Sequence, residues 1–238
     1  FNGSIQEGDS VIDPRAVIDP NAHIGKNVSI GPFSVIGPDV EIGDETWVGP
    51  HVVITGHTVM GRRNKIYQFA SVGEASQDKK YQGEPTRLVI GDDNVIRENV
   101  TIHRGTVQGT GVTEIGNDNL LMAYVHLAHD CIVKNHCILV NAAQIAGHVI
   151  IEDYVIISGL CAVHQFVQIG AHAFIAHGSL VSKDVPPYVL LAGNGADISV
   201  CGINSEGLKR RGFSPESIAQ LRRAYKILYR QGLLLTDA

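Results

Sequence analysis

The chain has 238 residues, 44% hydrophobic but only 6% aromatic, with 26 glycines and a formal net charge of −5. That length can bury a substantial core, while the negative charge argues against a general binder of nucleic acid or of an anionic membrane. No stretch reaches the ~18 uncharged apolar residues of a membrane span, and the polar opening FNGSIQEGD is unlike a signal peptide. The start without Met and the ending LLLTDA read as a chain trimmed at both ends. Cys131, Cys137, Cys161 and Cys201 form no CxxC pair, so a reducing cytoplasm is expected.

In chain order the dominant pattern has a period of six. Aliphatic residues recur from Ile12 through Ile18, Ile24, Ile30, Ile36, Ile42, Val48, Ile54, Met60 and Ile66 to Val72. The series resumes in phase at Ile90, Ile96 and Ile102. After a one-residue slip it runs from Ile115 to Val181. Glycine often follows directly, as at Gly25, Gly31, Gly37 and Gly43, which suggests corners with positive φ. Two residues before the aliphatic stands something small, as at Ala22, Ser34, Thr46, Cys131, Cys137, Ala143 and Cys161. Those three cysteines therefore read as small hydrophobes of the core.

Neither a helix of period 3.6 nor a flat strand of period 2 fits; six-residue repeats are the mark of a parallel β-helix. Three units close one coil, and coils stacked about 4.8 Å apart make a prism roughly 45 Å long. The repeats resemble those of the left-handed β-helix acyltransferases, and left-handedness is taken from that resemblance. The predicted fold is mainly β, a left-handed parallel β-helix over residues 1–190 with a C-terminal α-helical domain. Insertions near 74–88 and 103–114 interrupt the solenoid, and loops on a rigid scaffold are where function collects. Periodicity ends at Val181, and an irregular connector runs to about 203. A short helix at about 204–211 then precedes one capped by Ser214 and Pro215, with Ile218, Leu221, Ala224, Tyr225 and Leu228 on one face. Residues 191–238 would close the solenoid end.

The coil period also places the histidines. Residues eighteen apart stack, so His129 lies under Gly147 and Gln165, Asp130 under His148, and Ala146 under His164. One edge thus gathers His129, Asp130, Gly147, His148, His164 and Gln165, with His126 nearby. None occupies the aliphatic or the small inward position, so by pattern all belong to the surface. Their convergence points to a catalytic edge, with histidine suited by its pKa to act as a general base.

The segments SVGE, QDKKYQGEPTRLVIGD, TIHRGTVQG, NLLMAY, HLAHDC, AGHV, AVHQF, DVPPYV and EGLKRRGF resemble the UDP-N-acetylglucosamine 3-O-acyltransferase family across nearly the whole chain. The resemblance implies transfer of a 3-hydroxyacyl chain from acyl carrier protein to the 3-hydroxyl of UDP-N-acetylglucosamine, the first step of lipid A synthesis. It implies no acyl-enzyme, no cofactor, no metal, and a cytoplasmic homotrimer with sites between prisms. By it, His129 is the base, Asp130 its acidic partner and Gly147 the backbone donor to the oxyanion. His126, His148, His164 and Gln165 line the substrate pocket, and Asp78 and Lys80 reach it from a neighbouring subunit. Asn204, Glu206, Arg210 and Arg211 meet the nucleotide. The carrier protein is received by that basic surface, continued through Arg222, Arg223 and Lys226. His177 stands at the acyl-length ruler, where a bulky side chain implies shorter donors. The connector 193–204 is longer than is usual for the family.

Two other enzymatic readings and a non-catalytic one compete. His136, His172 and His177 have the 36- and 5-residue spacing of the zinc site of γ-class carbonic anhydrases. The N-acyltransferase later in the same pathway shares the repeats but carries an additional N-terminal domain. A purely structural solenoid would not need the convergent histidines.

Overall fold

Two extended residues followed by a sharp turn, repeated every six, force the backbone into flat-sided coils. In the computed structural model, which describes residues 10–194 and 197–232, these coils stack into a three-faced prism. The opening FNGSIQEGD, the closing LLLTDA and residues 195–196 of the connector lie outside the described residues. Each short strand pairs in parallel with the third one along, giving sheets of 11, 9 and 8 strands as the three faces. His126–Leu127 pairs with Gln144–Ile145, and that with Ala162–Val163, so residues eighteen apart do stack. The fold is the left-handed parallel β-helix expected from the repeats.

Twenty described non-glycine residues have φ between 54° and 67°, and nearly all turn corners, among them Glu45, Asp130, His136, Ala142 and His148. This corrects the expectation for glycine. Gly31 and Gly43 stand two residues before the left-handed positions Phe33 and Glu45 and are not themselves left-handed. What they require is close approach. A Cβ at Gly43 would lie 2.5 Å from the Gly61 carbonyl of the next coil. Left-handed geometry costs a non-glycine residue roughly 1–2 kcal/mol, and the ladder of N–H to C=O bonds between coils offsets it.

The in-phase aliphatics form one continuous core, with Ile30, Ile54, Ile66, Leu121 and Ile145 at most 1% exposed. Cys131, Cys137 and Cys161 point into it, and their thiols donate to the carbonyls of Ala146, Glu152 and Ala176. The small inward position also holds a polar ladder that crosses the two insertions. Asn64 Oδ1 accepts from the Asn94 N–H and Nδ2 at 2.9 and 3.0 Å. Asn94 Oδ1 accepts in turn from Asn119, and Asn119 Oδ1 from the Cys137 N–H. All three side chains are buried, so each bond avoids an unpaired polar group.

The insertions emerge between Ser71–Glu74 and Arg87–Ile90, and between Thr101–His103 and Val112–Ile115. Past Val181, Val189–Ala192 adds to the first face, and Ser199–Ile203 returns antiparallel beside it. The connector expected to be irregular to 203 therefore supplies a strand that covers the open sheet edge. Helix α1 (Ser205–Arg210) and helix α2 (Pro215–Arg230) follow, the latter capped by the Ser214 side chain accepting from the Ser217 N–H. Of the expected apolar face of α2 only Ile218 is buried; Leu221, Tyr225 and Leu228 line a shallow groove with Pro186–Val189.

Replacing Asn94 by Leu keeps the branched shape but leaves the Asn119 N–H and the Gly116 carbonyl unpaired, while Asn119 Nδ2 retains only the Lys134 carbonyl. Urea unfolding of this variant is expected to show a loss of about 3 kcal/mol. Unchanged stability would remove the ladder's role in carrying the register past the insertions.

Candidate functional site

The corner between the second and third faces carries Asp130, His148 and Phe166 in successive coils, with His129, Gly147 and Gln165 just before them. His129 Nδ1 meets Asp130 Oδ2 at 2.8 Å, both side chains nearly without solvent. His148 stands edge-on to His129, 5.0 Å between ring centres, and stacks on Phe166 at 4.4 Å. With Nδ1 engaged, Nε2 is the nitrogen His129 has left for another partner. Gly147 is held close: a Cβ there would lie 2.7 Å from both Cε1 and Nε2 of His129.

The pattern placed these residues on the surface, yet His129 is only 6% and Asp130 only 2% exposed. The second insertion buries them. Thr106 Oγ1 donates to Asp130 Oδ2 at 2.7 Å, the Thr106 N–H reaches both carboxylate oxygens, and the Thr110 N–H reaches Oδ1 at 3.0 Å. The Asp130 N–H donates to Thr113 Oγ1. Burial alone would raise the Asp130 carboxyl, but the bonds from His129 and Thr106 outweigh it and hold it below its ordinary value. Thr113 holds the small inward position before Ile115, but the period says nothing of Thr106 or Thr110, because they lie in the insertion outside the repeat.

Two cavities open at this corner. One, of about 300 Å³, is lined by His126, His129, Gly147, Gln165 and also by Gln77 and His103. The other, of about 480 Å³, is lined by Lys80, Gly109, His129, His148, Gln165 and Phe166. Asp78 lines both. Asp78 and Lys80, expected from a neighbouring subunit, thus stand beside the dyad of their own chain. The first insertion is pinned there by Arg104, which donates to the Gly73 carbonyl and to Tyr81 Oη at 2.8 and 2.9 Å. His126 is half-buried, with Nδ1 against Thr101 Oγ1 at 2.8 Å, and it meets the buried His103 edge-on. Sequence reading passed over His103, although it lies in the quoted TIHRG segment. His164 is exposed at the same corner and lines neither cavity.

The remaining candidates lie elsewhere on the prism. The corner between the third and first faces stacks His136, Tyr154, His172 and Tyr188. Arg211 lies over Tyr154, 5.1 Å away, with Nη1 3.4 Å from His172 Nδ1. Asn204 caps α1 and donates to the His172 carbonyl, so its amide is engaged within the fold. Glu206 pairs with Lys209, and Arg210 is exposed. His177 sits at the third corner, between Phe174–Ile175 and Leu180–Val181, stacked over Gly159. One chain therefore distributes the expected residues over all three corners.

The same geometry answers the zinc reading. The Tyr154 ring is stacked between His136 and His172, and His177 is at another corner, so the three do not converge within the chain. Among the described residues, the ligand-type atoms that do gather within 4.8 Å belong to His129, Asp130 and His148. Both Asp130 oxygens already accept from the second insertion and His129, and an ion would have to displace those donors.

Residues 184–238 match a family profile described as UDP-N-acetylglucosamine O-acyltransferase, domain 2, and residues 7–38 match the bacterial transferase hexapeptide repeat. A curated acyl-[acyl-carrier-protein]–UDP-N-acetylglucosamine O-acyltransferase of Stutzerimonas stutzeri is 57% identical over 183 residues, covering 77% of this chain and 70% of its own. A solved UDP-N-acetylglucosamine acyltransferase of Francisella novicida superposes with a TM-score of 0.92 at 48% identity, covering 95% of this chain and 82% of its own. That of Moraxella catarrhalis gives 0.91 at 47% identity, over 94% and 86% of the two chains.

Burial, followed by repulsion from His126, pushes the His103 imidazole down to about 4 from 6.5. As pH falls the unfolded chain takes up this proton first, so stability is lost between about pH 6.5 and 4 and the loss levels off below. His103→Gln is expected to flatten that slope by roughly 3 kcal/mol in total. A denaturation series across pH reads it, and an unaltered slope would mean the ring is not buried neutral.

Proposed function

The chain belongs to the acyl-[acyl-carrier-protein]–UDP-N-acetylglucosamine O-acyltransferase family, and from that premise we propose how its corner residues perform the reaction. The enzyme transfers an acyl chain from acyl carrier protein to UDP-N-acetylglucosamine. In our reading the chain is a 3-hydroxyacyl group, the acceptor is the 3-hydroxyl, and the product enters lipid A synthesis in the cytoplasm.

The observation that carries the mechanism is the buried His129–Asp130 pair facing a cavity. A sugar hydroxyl is a poor nucleophile near neutral pH. His129 Nε2 takes its proton as the oxygen attacks the thioester carbonyl, and ionised Asp130 supports the imidazolium through Nδ1. Gly147 packs closely against the ring, and in this reading its N–H donates to the oxyanion. Collapse breaks the C–S bond, and His129 returns the proton to the departing thiolate. No acyl-enzyme is needed. Cys131, two residues from His129, is no substitute nucleophile, since burial pushes its thiol up to about 12 and its Sγ points into the core.

His126, His148 and Gln165, with Asp78 and Lys80 on the first insertion, bind the sugar nucleotide, and His164 extends that surface. Glu206, Arg210 and Arg211 receive the nucleotide, Arg suiting phosphate recognition. Because they stand at a different corner from His129, they serve a neighbouring copy's site in a homotrimer. Asn204 acts by holding α1 in place. The acyl carrier protein docks on the basic surface that runs through Arg222, Arg223 and Lys226. His177 narrows the acyl groove and favours shorter donors. No helix among the described residues is long and apolar enough to cross a membrane.

The test is acyl transfer from 3-hydroxyacyl carrier proteins of graded length to UDP-N-acetylglucosamine. Wild type is expected to turn over, fastest with the shorter donors, and His129→Ala to lose ~10²–10⁴-fold in kcat. Equal turnover by the variant would assign the base elsewhere, and a preference for the longest donors would remove His177 as the ruler.

A further inference from the structure

We infer that Thr106, through its side-chain hydroxyl, is a positioning residue that orients Asp130 and thereby the base His129. The inference rests on the proposed acyl transfer. Its basis is geometric. The Asp130 side chain has no solvent exposure, so every bond its carboxylate makes comes from protein. Oδ2 accepts from two strong donors, Thr106 Oγ1 at 2.7 Å and His129 Nδ1 at 2.8 Å. Oδ1 accepts from the Thr110 N–H at 3.0 Å, and the Thr106 N–H bridges both oxygens at 3.1 and 3.2 Å. Thr110 Oγ1 lies 3.3 Å from Oδ1 but 2.9 Å from the Val112 carbonyl, which is better placed to take its hydrogen. Thr106 therefore supplies the short hydroxyl donor.

Two consequences follow from a carboxylate held this way. A buried carboxyl without donors would be neutral and could not support an imidazolium; the insertion's donors keep it charged. The Thr106 hydroxyl also claims one side of Oδ2 and leaves the other to His129, which sets the rotation of the carboxylate and, through it, the plane of the imidazole. The loop can do this because it closes without clearance. A Cβ at Gly109 would stand 2.5 Å from both Cγ and Oδ1 of Asp130. The second insertion is thus part of the catalytic apparatus although Thr106 lines neither cavity.

Thr106→Val keeps the shape and removes the donor, whereas Thr106→Ser keeps the donor. With acyl carrier protein and UDP-N-acetylglucosamine substrates, Thr106→Val is expected to lower kcat roughly tenfold with KM for the sugar nucleotide held within about twofold, and Thr106→Ser to restore kcat. In an Asp130→Ala background the same substitution is expected to change kcat by less than about twofold, because the group it acts through is gone. Undiminished kcat in Thr106→Val, or a loss that recurs in full without Asp130, would overturn the inference. If Thr106→Val does not fold by circular dichroism, Gly109→Ala, which crowds the carboxylate from the same loop, is expected to give the same kcat-specific loss. Unaltered kcat in that variant would likewise overturn it. No turnover by the wild type would remove the proposed reaction and the inference together, whereas turnover with an indifferent Thr106 would remove the inference alone.

Discussion

Everything in this molecule hangs on the hydrogen-bond ladder between one coil and the next. Each coil donates backbone N–H groups to the carbonyls of a neighbour, as Gly49 does to Ile66 and Val140 to Ile157. The ladder tolerates no drift, because a slip of one residue would exchange the inward and outward sides of every strand. It holds twenty described non-glycine residues in the left-handed region, and it brings coils so close that Gly43 has no room for a side chain. The insertions leave through one local irregularity, a register shift between Val72 and Glu74 against Thr101–His103, and the ladder resumes in register, Arg87 stacking on His57 and under Val112. Buried Asn64, Asn94 and Asn119 carry the register past both breaks.

Much of this was legible in the sequence because the ladder writes itself as a period. From Ile30 to Val181 the phase predicted which side chains fill the core, and Cys131, Cys137 and Cys161 fell into it as expected, whereas Ile12 in the first coil stays exposed. Residues eighteen apart could be stacked on paper, which put His129, Asp130, Gly147 and His148 together before any coordinates. What stayed hidden depends on segments that lack the period. Asp130 reads as a corner residue, and nothing in its own coil reveals that Thr106 and Gly109 close over it. The glycine positions were right, but positive φ holds at Gly73 and not at Gly25, Gly31, Gly37 or Gly43, since sequence alone does not separate a left-handed corner from a close backbone approach. The strand Ser199–Ile203 was missed for want of alternation; it pairs antiparallel with an edge strand outside the repeat.

The same regularity that makes the fold legible limits what one chain can do. Corners run parallel down the prism, so residues six apart in sequence face different ways. His129 and Asp130 occupy one corner, Arg211 lies on the Tyr154–His172 stack of the second, and His177 stands at the third. No bending of a rigid prism brings these together. In a homotrimer, the second corner of one copy can face the first corner of the next. Under the proposed function, the base would then come from one copy and Arg210 and Arg211 from another.

Subunit mixing tests that division of labour most directly. His129→Ala and the double variant Arg210→Ala/Arg211→Ala are each expected to be inactive alone. Refolded together at equal amounts, randomly assembled trimers should contain intact sites at about a quarter of the positions, and acyl transfer should return to about that fraction of wild type. A mixture as inactive as its parents would mean that the arginines and the base serve the same chain's site, and that the corners are not shared.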